Sequence, residues 1–338
     1  MKKLNTILLL SLFFICLVSF SYSQSRFMKD PDVNKDKIVF SYEGDLWLAS
    51  TSGGTAARLT SAPGSENSPK FSPDGNTIAF TGNYDGSNNV YTIPVTGGEP
   101  QRVTYIPYIS QTMTWTPDGK RIVFESYYDS YIIRDPMLYF VDKNGSAPEK
   151  LPVDRGRHCS FSPDGSKMVY VRKGPEEYNW KRYKGGWHSD IWMYDSKENK
   201  FSPLSDYVGK NAYPMWIGDF MYFVSDRTNG IANIYKENLS TKEITQVTNY
   251  SDVDVMMPSN DKDQIVYMHS GYLNLLDTKT DQSRQIEVNI PSDRWELRDK
   301  TINPKDYIHY VNISNDGKSV VLEAGEIYST FLLKKGTQ

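Results

Sequence analysis

Cysteine is nearly absent from the 338-residue chain: Cys16 and Cys159 are the two it has. That is too few for a disulfide-stapled scaffold. Histidine is also sparse. Its four positions (His158, His188, His269, His309) include no HExxH or paired-ligand spacing, and there is no CxxC, so no metal motif is present and no cofactor is expected. A G-x-S-x-G elbow and a Gly-rich phosphate loop are missing too. Charge of one sign is not in excess. The formal net charge of −3 gives no reason to expect nucleic acid as a partner. Apolar residues make up 38%, below the about 45–50% of a typical globular chain, although that usual count includes Gly and omits Tyr. No segment sustains helical periodicity, which excludes a coiled coil and a helical membrane bundle. What the chain does have is 13% aromatics, with 24 Tyr, together with 23 Gly and 18 Pro. This composition divides a core among many short aromatic strands and turns.

The first residues read as a targeting segment. Lys2 and Lys3 precede an apolar run from Ile7 to Phe20, and Ser21-Tyr22-Ser23 places small residues before a cut at Gln24. The run is too short to span an about 30 Å hydrocarbon core. Residues 1–23 are therefore expected to be a signal peptide, and the protein to be periplasmic or extracellular, with no membrane span after cleavage. An uncleaved anchor is the alternative. A lipoprotein reading through Cys16 is disfavoured by the bulky Phe14 and Ile15. Removal of Lys2 and Lys3 takes the net charge from −3 to −5 and leaves Cys159 as the one thiol.

The remainder is repetitive. Phe71-Ser72-Pro73-Asp74-Gly75, Trp115-Thr116-Pro117-Asp118-Gly119 and Phe161-Ser162-Pro163-Asp164-Gly165 are copies of one element, with degenerate copies ending at Asp36, Asp219, Asp261 and Asp316-Gly317. Steps between the Asp anchors are 38, 44, 46, 55, 42 and 55 residues. Pro presets the turn's φ and Gly accepts the left-handed residue after it, so each copy is a turn between two strands. Sialidase-type Asp boxes space Asp and Gly differently, and calcium loops need more oxygen ligands than these turns offer. The Asp is expected to bond the turn backbone.

An apolar strand follows each anchor (Ile78-Ala79-Phe80, Ile122-Val123-Phe124, Met168-Val169-Tyr170). A second strand comes next (Asp45-Leu46-Trp47, Asn89-Val90-Tyr91, Asp190-Ile191-Trp192), and then a closing strand (Arg58-Leu59-Thr60, Arg102-Val103-Thr104, Gln246-Val247-Thr248). Four strands every 40–55 residues are the signature of a β-propeller blade. Six units fit, which predicts an all-β, six-bladed propeller over residues 27–300 with TolB-like, PD40-type blades. Residues 303–338 are left as an incomplete half-blade, either closing the ring or opening a second propeller that is truncated here. The second reading is favoured.

Several runs resemble a known family. Tyr42-Glu43-Gly44-Asp45-Leu46-Trp47, the insert Trp180-Lys181-Arg182-Tyr183-Lys184-Gly185-Gly186-Trp187, and Pro214-Met215-Trp216-Ile217-Gly218-Asp219 look like the amino-terminal six-bladed propeller of tricorn-type (S41 family) serine peptidases. The resemblance implies a second, seven-bladed propeller and serine-peptidase and PDZ domains beyond this one, with the propellers filtering or channelling peptides. It implies no catalytic residue in this chain. The expected function is a non-catalytic module for substrate gating or assembly, with peptides and downstream domains or subunits as partners. The competing readings are a stand-alone TolB-like protein-binding propeller and a tunnel enzyme acting on glycans, for which Asp254 and His158 are the placed candidates.

The position seven before each anchor should open the innermost strand beside the central tunnel. It holds Asn67, Gln111, Arg157, Ala212 and Asp254, and the polar four are candidate ligand contacts. Lys181 and Arg182 of the insert are further candidates for gripping a peptide carboxylate or a partner domain. Cys159 is expected to be a small buried residue and not a nucleophile, since His158 beside it points to the opposite face.

Overall fold

The computed structural model describes residues 25–130, 136–173, 181–292, 303–324 and 327–332. The expected signal segment lies outside them. The chain forms two compact units, Met1–Pro291 and Ser292–Gln338.

Six four-stranded antiparallel sheets build the first unit, each from consecutive strands running from the innermost outward. The innermost strands of blades 1 to 6 are Lys29–Asn34, Glu66–Phe71, Ser110–Trp115, Arg157–Phe161, Asn211–Ile217 and Met256–Asn260. They pack in that order, and blade 6 returns to blade 1, which closes a six-bladed propeller. The second strands are apolar on both faces because each sheet is covered by a neighbour on either side. Ile78, Ala79, Phe80, Ile122, Val123 and Phe124 are all fully buried.

The repeated turn has the expected chemistry. In blade 2 the Ser72 hydroxyl donates to Asp74 Oδ1, which also accepts the Asn76 N–H at 3.0 Å, while Gly75 takes φ 78°. These hydrogen bonds, that from Ser72 first, hold the Asp74 carboxyl below its usual range. Thr116–Asp118 and Ser162–Asp164 repeat the arrangement at 2.6 and 2.7 Å.

The closing strands carry a second device that explains their recurring Thr. Thr60 Oγ1 accepts the Leu46 N–H (2.8 Å) and donates to Glu66 (2.7 Å). Thr104 does the same with Val90 and Asn89, and Thr248 with Ile234 and Asn233. Each hydroxyl pins the start of the third strand to the chain entering the next blade. Glu66 is buried and also accepts the Tyr84 hydroxyl at 2.8 Å. Burial raises its carboxyl to about 7 despite those two donors.

No strand is exchanged between the first and last blades. Instead the two ends overlap. The segment before blade 1 bonds to blade 6, with Ser25 N–H to the Val288 carbonyl (3.1 Å) and Phe27 N–H to that of Gly271 (2.9 Å). The segment leaving blade 6 pairs in parallel with blade 1, Val288 beside Gly54 and Asn289 beside Thr55. At the tunnel end of this seam, buried Asp32 of blade 1 accepts the Ser259 hydroxyl of blade 6 and the Phe71 N–H of blade 2 (2.7 Å). Lys70 of blade 2 donates to Ser259 (2.7 Å) and lies 3.8 Å from Asp32. Burial nevertheless raises the Asp32 carboxyl above its ordinary value.

The second unit contains a short 3₁₀ turn, Pro304–Tyr307, and a three-stranded antiparallel sheet of Ile308–Ile313, Ser319–Ala324 and Ile327–Leu332. Its first turn copies the blades: Ser314 donates to Asp316 (2.6 Å), and the Gly317 N–H returns to the Ser314 carbonyl (2.8 Å).

Two expectations follow. Asp32→Ala leaves Lys70 and Ser259 without their buried partner and should cost about 3 kcal/mol by urea unfolding. A cost within about 0.5 kcal/mol, that of an ordinary surface substitution, contradicts the seam. Because the folded-state pKa of Glu66 is raised, the native state holds its proton more tightly, and that contribution is lost as pH rises from about 4.5 to about 7. Glu66→Gln should therefore gain stability relative to wild type between pH 5 and pH 8, and an unchanged difference contradicts the assignment.

Candidate functional site

A cavity of about 390 Å³ lies on the ring axis, and the inner strands of all six blades border it. Its geometry comes from a β-bulge in every inner strand. The ladder shifts between Lys29/Asp32, Asn67/Lys70, Thr112/Thr114, Arg157/Cys159, Ala212/Met215 and Met256/Ser259. The bulged residues are Asp30, Ser68, Met113, His158, Tyr213 and Met257, and each borders the cavity. Five have positive φ: Asp30 48°, Ser68 51°, His158 24°, Tyr213 52° and Met257 50°. Left-handed backbone at non-glycine residues is uncommon and costs about 1–3 kcal/mol per site, so packing must hold it in place. A bulge re-aims the chain at this step, and Met113 and Tyr213 also pack into the apolar clusters between blades.

The bulge also accounts for prolines within strands. Pro31, Pro69, Pro214 and Pro258 each follow the bulged residue, where the ladder is already broken and a missing N–H is tolerated. Blades 3 and 4 carry Thr114 and Cys159 at that step.

Neighbouring blades are tied together around the wall. Gln111 Nε2 donates to Ser68 Oγ (3.0 Å), and the Ser68 N–H donates to Asp30 Oδ2 (3.3 Å). The Thr112 N–H donates to Thr81 (2.8 Å), and that of Trp216 to Ser160 (2.9 Å). Arg157 donates to the Tyr127 hydroxyl at 2.9 Å, and the His158 ring packs on Tyr213 with centroids 4.4 Å apart. Cys159 is buried, as expected, and that burial pushes its thiol well above the usual range.

Of the residues singled out from sequence, Gln111 and Arg157 border the cavity. Asn67 is on the correct inner strand but one residue before the bulge, and Ala212 stands in the same relation to Tyr213. Neither borders the cavity, although Gln111 and Arg157 at the same distance from their anchors do. Asp254 precedes the blade 6 inner strand, because the turn at Asp261 is shorter than the Pro-Asp-Gly turns and shifts the count. Buried Asp254 instead accepts the Ala232 N–H (3.0 Å) and pairs with Lys181 at 3.2 Å. Arg182 donates to the Gly230 carbonyl at 3.3 Å. The described part of the blade 4 insert thus reaches blades 5 and 6, while Trp180 lies outside the described residues. Asp254 and His158 are not brought together, and no cluster of three or more His, Cys, Asp or Glu suited to a metal occurs among the described residues. Reading from sequence missed Asp30, Asp32, Ser68, Tyr213, Met257 and Ser259. The in-strand prolines were the available signal for the bulges.

Comparison with known proteins places this geometry. The family model for the tricorn protease N-terminal beta propeller domain matches residues 25–282. A tricorn protease homolog of Saccharolobus solfataricus is 27% identical over 324 residues, 93% of this chain and 30% of the relative. A tricorn-like protease C-terminal subunit of Sulfurisphaera tokodaii is 32% identical over 130 residues, 38% of this chain and 15% of that protein. Among solved structures, that of the tricorn protease aligns with TM-score 0.73 at 22% identity, over 88% of this chain and 29% of its own. The chain therefore spans less than a third of the length of these relatives.

The insert contact is testable by comparing its two ends. Lys181 is half exposed, so Lys181→Ala should change stability by no more than about 1 kcal/mol. Asp254→Ala strands a buried backbone N–H and should cost about 2 kcal/mol. Equal losses would contradict this division.

Proposed function

The chain belongs to the tricorn protease N-terminal β-propeller family, and from that membership we propose that it serves an exported peptidase as a non-catalytic module that guides peptides through its axial cavity and supports assembly with the peptidase parts. The observation that carries this reading is the family match over the same six blades that enclose the cavity. A polar, six-walled cavity bordered by Gln111 and Arg157 offers contacts to peptide groups. Asn67, Asp254, Lys181 and Arg182, away from that wall, have structural bonds or tether the insert.

Association with further protease components is supported by the relative whose description is a C-terminal subunit. The second unit fits the same picture. Its Ser314–Gly317 turn and its inner-strand shift between Ile308 and Tyr310 repeat the blade pattern. Tyr310, Val311 and Ile313 are 71%, 60% and 59% exposed, whereas blade strands are covered on both faces. It is read as the first strands of a second propeller. Export rests on Lys2, Lys3 and the Ile7–Phe20 run, and the N-terminus of the secreted protein is expected at Gln24.

The test is proteolysis of unstructured peptides by the purified protein, alone and mixed with the peptidase domains of its genome. No cleavage alone and accelerated cleavage in the mixture is the expected result. Cleavage by the chain unaided overturns the non-catalytic reading. No effect in the mixture favours a stand-alone binding propeller of the TolB type.

A further inference from the structure

We propose that a groove across one face of blade 3 is a peptide subsite, taking one large apolar side chain, aromatic by preference, from a peptide held at the axial cavity. The proposal rests on the reading of the cavity as a peptide passage and names the side-chain class selected beside it.

Strands alternate in direction within a blade, so the wheel has two unlike faces. One carries the Asp-anchored turns. The other carries the loops between second and third strands and the connections from blade to blade. On this second face blade 3 bears a groove of about 930 Å³. Tyr108 and Ile109 border it from the connection that enters blade 3, and Tyr127, Tyr128 and Asp129 from the loop after the second strand, Arg121–Ser126. Lys150 borders it from the outermost strand.

Apolar surface is left in water here. Tyr108, Ile109 and Tyr128 are 51%, 54% and 36% exposed, whereas the described turns of the opposite face expose no large hydrophobic side chain. Exposed apolar residues that are grouped mark a contact surface, unlike single ones scattered over a protein. The rings are also held in place. Tyr108 and Tyr128 have centroids 6.1 Å apart, Tyr128 and Tyr139 6.3 Å, and the Tyr139 hydroxyl donates to the Tyr128 carbonyl. Side chains ordered in advance lose little freedom when a ligand arrives. Asp129 and Lys150 bring one charge of each sign to the border, so the groove asks for no net charge.

Continuity with the axial cavity identifies the occupant. Tyr127 borders the groove, and its hydroxyl accepts a hydrogen bond from Arg157, which borders the cavity, at 2.9 Å. Ile109 of the groove is two residues from Gln111 of the cavity wall. An extended peptide advances about 3.4 Å per residue, so one that touches Arg157 brings a side chain to Tyr127 within about two residues. Tilted tyrosine rings receive another aromatic ring edge-to-face or offset-stacked.

The experiment is calorimetric titration of the purified full chain with Gly-Ser-Gly-Phe-Gly-Ser-Gly and with its analogue carrying Ala in place of Phe. The Phe peptide should bind one per chain and at least about tenfold more tightly than the Ala analogue. Tyr108→Ala should remove most of that preference and leave the affinity for the Ala analogue within about twofold. Tyr105→Ala, in the same connection but outside the groove, should leave the preference intact. Equal binding of the two peptides, or a preference that survives Tyr108→Ala, overturns the subsite and leaves a peptide passage standing. Self-association in sedimentation that Tyr108→Ala abolishes also overturns it, by giving the groove to a second copy of the chain. Binding of neither peptide overturns the subsite too, and the passage is then judged by the mixed proteolysis assay alone.

Discussion

Everything in the propeller depends on closing a ring whose first and last blades share no strand. Each blade is made from one contiguous stretch of chain, so the strand hydrogen bonds that hold a blade together do nothing to join blade 6 to blade 1. The seam relies on an overlap of the two ends and on a buried polar knot. The Ser25–Phe27 stretch lies on blade 6, Val288 and Asn289 lie on blade 1, and Asp32 gathers donors from blades 2 and 6. Burying that carboxylate is costly, as its raised pKa indicates. The cost is offset by hydrogen bonds and by Lys70, and Asp32 in this state also fixes the register of three inner strands.

Register in turn makes the tunnel. Five inner strands bulge with left-handed backbone at Asp30, Ser68, His158, Tyr213 and Met257, blade 3 bulges one step later at Met113, and the residues around these bulges border the axis. The outer parts of the blades vary little in chemistry: a Ser- or Thr-capped Asp turn, an apolar second strand, and in three blades a Thr that pins the third. The bulged position varies freely, from Asp to Met to Tyr. The blade 4 insert adds a second tie, with Lys181 and Arg182 reaching over to Asp254 and Gly230.

Much of this was legible in the sequence because it is periodic. The Pro-Asp-Gly anchors fixed the turns, the apolar triplets after them fixed the second strands, and their even spacing fixed six blades. The tunnel layer was legible only in part. Counting back from the anchor assumes an unbroken ladder, and a bulge adds one residue. The count therefore lands on Asn67 and Ala212 where Ser68 and Tyr213 border the cavity, and the shorter blade 6 turn displaces Asp254 further. Gln111 and Arg157, from the same count, do border the cavity. Seam residues such as Asp32 and Ser259 are separated by 227 positions, and no local pattern announces a bond over that distance.

Native-state hydrogen exchange tests the closed seam most directly, by comparing buried second-strand amides of blades 1 and 6 with those of blades 3 and 4. If the ends lock the ring as described, Val39 and Val266 exchange through the same global unfolding as Val123 and Val169, with equal free energies and equal urea dependence. If Val39 and Val266 exchange through a cheaper partial opening while Val123 and Val169 stay protected, the wheel is an arc with a loose joint, and the account is wrong.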